Sequence, residues 1–156
     1  MMSDYEKLIA KLGKALNMPD MAPDEDGYLM LKVDDQFVHM QLDAEADEII
    51  LYAILQEVEP DRQLEIYARL LTANTFWKET GGATLSIDEA SGRVLLGRVL
   101  PLRSLDEVEF DVALGRFTDT VTHWEGWLEA ANAGGEIYAH ERLAGMGIRP
   151  AALGTA

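Results

Sequence analysis

Residues 64–102 read LEIYARLLTANTFWKETGGATLSIDEASGRVLLGRVLPL, and this stretch restricts the fold more than any other. Its first part has the period of a helix. At ~100° per residue, Leu64, Tyr67, Ala68 and Leu71 fall on one side, and Ile66, Leu70, Ala73 and Trp77 fall roughly opposite. A helix on the outside of a small monomer needs one buried stripe, so the second apolar face must meet another layer or another chain. A dimer is the first expectation. The second part has the period of a hairpin. Gly81 and Gly82 break the helix, Leu85 and Ile87 alternate with Ser86 and Asp88, Glu89 to Gly92 is a polar turn, and Val94–Leu96 and Val99–Leu102 are apolar again. Gly92 supplies the positive φ that the reversal needs.

The flanking segments extend this pattern in both directions. Ser3 and Glu6 form a capping box, and Tyr5, Leu8, Ile9, Leu12 and Leu16 share one face of the helix it opens. Lys7, Lys11 and Lys14 share the opposite face, where they meet solvent, the chain's own carboxylates or a partner. After a loop over Asn17–Asp26, Tyr28–Val33 and Phe37–Leu42 alternate around Asp34-Asp35 as a hairpin. Val38, Met40 and Leu42 point one way, and Phe37, His39 and Gln41 the other. Ile49–Leu55 is almost continuously apolar, as in a central strand covered on both faces. One cover is a helix; the other is a second helix, the dimer mate or a partner polypeptide.

Pro60 then marks the start of the two-faced helix, Asp61 to Trp77. Ser104 and Glu107 form a second capping box, opening a helix to about Ala131 whose stripe is Phe110, Leu114, Phe117, Val121, Trp124 and Leu128. The expected architecture is one α+β domain over residues 1–132, in the order α-β-β-β-α-β-β-α, with helices packed on an antiparallel twisted sheet. Residues 133–156 form a Gly/Ala-rich tail, a short helix at most.

With 156 residues the chain is long enough to bury one core unaided, and having no cysteine it has neither disulfides nor a thiol nucleophile. Absence of a signal peptide or a long apolar run points to the cytoplasm, with no membrane span. The 28 acidic residues outnumber 13 basic ones, giving a net charge of −15 that repels nucleic-acid backbones. Acidity keeps such a chain soluble; it also suits a holder of basic or aggregation-prone chains.

The order helix, glycine pair, strand, turn and strand, with Leu70-Leu71-Thr72-Ala73-Asn74, Gly82, Leu85, Asp88, Gly92 and Leu95-Leu96, resembles the class I type III secretion chaperones of the CesT and Tir-chaperone family. The resemblance spans about Ser3 to Ala131 and does not extend to the tail. It implies a cytoplasmic homodimer that holds the N-terminal region of a secreted effector, extended and partly unfolded, for delivery to the secretion ATPase in virulence. It also implies no catalysis by the chaperone itself.

Nothing in the sequence selects an enzyme. His39, His123 and His140 lack the spacing that puts two imidazoles on one helical face. The acids at Asp43–Glu48 have Glu48 where a calcium loop needs glycine. No Walker loop, nucleophile elbow or dinucleotide fingerprint is present, so no cofactor is expected. An enzyme would have to assemble its polar pocket from distant residues. A dimeric regulator binding one folded protein is the other alternative within this fold.

By spacing, Ile66, Leu70, Ala73 and Trp77, with Leu96 of the neighbouring strand, are expected at a dimer interface. Leu12 and Leu16 of the first helix and Met30, Phe37, Met40, Ile50 and Tyr52 of the strands are expected to meet the effector segment. A one-residue register shift would exchange the two strand faces.

Overall fold

A computed structural model describes residues 1–137. Its elements are α1 (Asp4–Ala15), β1 (Tyr28–Val33), β2 (Gln36–Asp43), β3 (Glu48–Glu57), α2 (Gln63–Ala73), β4 (Thr84–Ile87), β5 (Arg93–Pro101) and α3 (Glu107–Asn132). This is the expected α+β order. The five strands form one antiparallel sheet in the spatial order β1-β2-β3-β5-β4, so the apolar strand β3 is central.

Strand alternation assigns the two faces. Leu31, Val38, Met40, Ile49, Leu51, Ala53, Leu55, Val94, Leu96 and Leu100 are buried on the inner face, with the α3 stripe from Phe110 to Leu128 in the same core. On the outer face β3 carries Ile50, Tyr52 and Ile54, which no helix of the described residues buries. The expected second cover of this strand is therefore not intramolecular within residues 1–137. Tyr5, Leu8, Ile9 and Leu12 of α1 complete the core, and Ser3 and Glu6 exchange the two capping bonds.

Two boundaries differ from the sequence reading. The long helix is capped by Asp106 and Glu109, two residues beyond Ser104 and Glu107, whose segment begins with a 3₁₀ turn over Leu102–Ser104. Both pairs have the same spacing; a carboxylate at the cap also complements the positive end of the helix dipole. The two-faced helix is shorter than expected. A 3₁₀ turn at Pro60–Arg62 precedes α2, which stops at Ala73, and Phe76 and Trp77 each have φ of 54°. The break comes before the glycine pair because Asn74 turns its side chain to strand β4. Its Nδ2 donates to Leu85 O at 2.9 Å and its Oδ1 accepts from Leu85 N at 2.8 Å, so the amide replaces a neighbouring strand.

Helix α2 has two apolar faces, as expected, but the inward one is the face assigned by spacing to the dimer. Ile66, Leu70 and Ala73 are buried with Leu96 in the chain's own core. Arg69 on that side makes a bidentate pair with Glu79, at 2.8 and 3.2 Å, and its guanidinium lies over the Trp124 ring. Trp124 Nε1 donates to Glu79 O at 3.0 Å, tying the 77–84 loop to α3. Helix α3 ends at Asn132, and the expectation for the tail falls outside the described residues from 138 onward.

Candidate polypeptide-binding surface

The outer face of the sheet gathers side chains from four strands. The pairings Met30 to His39, His39 to Tyr52 and Tyr52 to Gly97 place these residues in one row. Ile54 pairs with Leu95 in the next row, with Phe37 two residues before His39 on the same face of β2, and Gln41, Ile50 and Val99 form the row on the other side. Met30, Phe37, Ile54 and Val99 are exposed. A concavity of about 410 Å³ opens among Met30, Phe37, His39 and Ile54 and runs past the end of the β1–β2 hairpin to Val121 and Glu125 of α3.

At the middle of this face His39 stacks on Tyr52 with ring centroids 4.7 Å apart, and its Nδ1 lies 2.8 Å from Tyr28 Oη. Burial lowers the His39 pKa from its usual value and raises that of Tyr52, with Tyr28 adding to the latter. The row is thus neutral at pH 7 and suited to apolar contact. Strand alternation sets His39 on one face with Phe37 and Gln41; the signal that joins it to Tyr28 and Tyr52 is cross-strand register, which turn lengths alone do not reveal.

The two edges of the sheet differ. Leu42 N donates to Gly27 O at 3.1 Å, and alternation from that bond turns the backbone groups of Met30 and Lys32 outward. Nothing among the described residues pairs with them. Beside this edge Met18, Met21, Leu29, Met30 and Leu31 line a groove of about 410 Å³. At the other end of the sheet the Asn74 amide occupies the edge of β4. There, a more apolar groove of about 340 Å³ runs between α2 and β4, lined by Tyr67, Leu70, Leu71, Leu85 and Ile87.

Of the residues expected to meet an effector, Met30, Phe37, Ile50 and Tyr52 come together on the outer face, and Leu16 is exposed at the end of α1. Leu12 and Met40 are buried and belong to the core; Met40 has the opposite parity to Phe37 on the same strand. Ile54, Leu95 and Val99 complete the face and were not anticipated. Of the residues expected at a dimer interface, only Trp77 is exposed. The apolar groups on the free side of α2 are Leu64, Tyr67 and Leu71, with Leu64 86% and Leu71 71% exposed. Among the described residues there is no cluster of three or more metal-ligating side chains, and no helix long and apolar enough to cross a membrane.

An antiparallel five-stranded sheet with helices on one face and a bare apolar surface on the other is the fold of the type III secretion chaperones. The chain is similar to a chain of the ExsC–ExsE complex at 24% identity and a TM-score of 0.68, covering 79% of this chain and 92% of that one. It is similar to a chain of the HopA1–SchA chaperone–effector complex at 18% identity and a TM-score of 0.66, covering 79% and 94%. A third likeness, at 21% identity, a TM-score of 0.59 and coverage of 76% and 98%, is to the Yersinia pestis type III secretion chaperone SycH in complex with a fragment of YscM2. No curated protein matches in sequence. The Tir chaperone protein (CesT) family matches residues 7–125, and the chain belongs to that family.

Proposed function

We propose that this protein is a cytoplasmic chaperone of a type III secretion system that holds the N-terminal segment of a secreted effector, soluble and partly unfolded, until export. The observation that carries this reading is the unpaired β1 edge flanked by apolar grooves, on a chain of the CesT family. An extended segment added to β1 gains backbone hydrogen bonds from Met30 and Lys32, and its alternate side chains meet the outer face and the concavity beside Met30 and Phe37. Met30, Phe37, Ile50, Tyr52 and Ile54 supply the apolar contact, and Leu16 extends it. The solved complexes support this: ExsE accompanies ExsC, and HopA1 accompanies SchA.

We also infer a homodimer formed through the free side of α2 and the α2–β4 groove, with Leu64, Tyr67, Leu71, Trp77 and Ile87 in contact. This leaves both β1 edges available. The net charge of −15 favours encounter with basic segments. No reaction or cofactor enters the proposal; the hand-over to the secretion ATPase follows the family resemblance alone.

The test is capture from the host cytosol by tagged protein, followed by limited proteolysis and mass analysis. The expected product is a protected fragment from the N-terminal region of a larger protein, on the order of 50–100 residues, as coupled ordering on a wide surface produces. Met30→Pro removes a backbone donor that only the added strand uses, so it is expected to abolish capture while changing the melting temperature little. Recovery of an intact folded partner, by wild type and variant alike, would instead establish a regulator.

A further inference from the structure

Where the 77–84 loop meets β5 and α3, two arginines converge on one turn. Arg98 of β5 donates from Nη1 to Gly81 O at 3.3 Å. A methyl group placed on Gly82 would lie 3.4 Å from Arg98 Cζ, and one on Gly81 would lie 3.2 Å from Arg116 Cγ and 2.8 Å from Thr120 Oγ1. Both glycines have positive φ, 60° and 89°, so the turn holds its backbone against the two arginines where a side chain would not fit without strain. On the sheet side, Gly82, Thr84, Gly97 and Arg98 help line a concavity of about 470 Å³.

This arrangement is unfavourable as it stands. Burial lowers the pKa of Arg98, and the charge of Arg116 lowers it further. Among the described residues Arg62, Arg69 and Arg103 each have a carboxylate within ion-pairing distance, and Arg93, Arg98 and Arg116 have none; of these three, Arg98 and Arg116 meet at one turn. A chain with 28 acidic residues against 13 basic ones has ample carboxylates to place here and does not. Glu79, two residues before the turn, is engaged by Arg69. One bond to Gly81 leaves most of the five donors of Arg98 unused, and the guanidinium fork matches an oxyanion.

We propose that Arg98 and Arg116, across the Gly81-Gly82 turn, form a binding site for an oxyanion, a phosphate or a carboxylate group. The site adjoins the client surface, since Ile50, Tyr52 and Val99 line the same concavity. Its ligand comes from one of two sources, a free phosphate or the acidic side chain of a bound polypeptide.

The test is an NMR titration of the full chain with inorganic phosphate and, separately, with a short blocked peptide containing one glutamate, each against sodium chloride at matched ionic strength. Saturable shifts of the Gly81 and Gly82 amides and of both arginine Nε groups, with a midpoint in the millimolar range, are expected with at least one of the two. Tighter binding of phosphate assigns a free anion, and tighter binding of the peptide assigns a polypeptide acid; both uphold the site. Arg98→Gln and Arg116→Gln should each weaken binding at least tenfold. Arg116 is exposed, so its replacement is expected to fold even if that of Arg98 does not, with an unchanged or higher melting temperature as the repulsion is relieved. Shifts that follow ionic strength alone, or that persist in Arg116→Gln, would overturn the proposal.

Discussion

Tyr5 puts a phenol into the core, and among the described residues its hydroxyl has no hydrogen-bond partner. Burial, with a smaller contribution from Asp24, raises its pKa to about 12. Tyr5→Phe removes an unsatisfied polar atom and keeps the ring, so it is expected to stabilise the fold by about 1 kcal/mol in a denaturant titration at pH 7. The pH dependence has a defined sign. Between about pH 10 and 12 the unfolded phenol ionises and the folded one does not, so wild-type stability falls as pH rises through that window, by roughly 2–3 kcal/mol. In the phenylalanine variant this component is absent. Arg69 and Glu79 are the opposite case, a buried charge pair with its bonds made. Glu79→Ala leaves Arg69 buried and uncompensated, and a loss of about 3–5 kcal/mol is expected in the same titration.

Between residue and fold, the decisive contact is Asn74 against the edge of β4. Asn74→Ala deletes both bonds and leaves Leu85 N and O unpaired, which is expected to lower stability by about 1–3 kcal/mol and to raise concentration-dependent aggregation measured by light scattering. This contact also marks the limit of what the sequence conveys. The α3 stripe and the Gly92 turn were legible because one period or one backbone requirement dominates there, and every stripe residue from Phe110 to Leu128 is buried. The end of α2 was not, because Asn74 stops the helix through a partner eleven residues away, ahead of the glycines that looked like the stop. Nor was the inward face of α2, since both faces are apolar; the long-range tie of Arg69 to Glu79 and Trp124 holds one of them against the core. On the strands, Met40 was grouped with Phe37 although their positions differ by three, an odd number, which sets them on opposite faces.

For the molecule as a whole, the two sides of α2 separate folding from assembly. Leu71→Glu places a charge on the exposed side and is expected to give monomers in sedimentation with little change in melting temperature. Leu70→Glu, one position away, buries that charge in the core and is expected to unfold the chain, read as loss of the cooperative thermal transition. A dimer that persists in Leu71→Glu would remove the proposed interface. The clasp of Asn74 on β4 has a further consequence for how such sheets can join. A sheet with both ends live can be extended without limit, as in a fibre. With the Asn74 amide on Leu85, a second molecule cannot add its β1 to the β4 end, so one sheet cannot grow head to tail through successive copies while its β1 edge is offered to an unfolded chain.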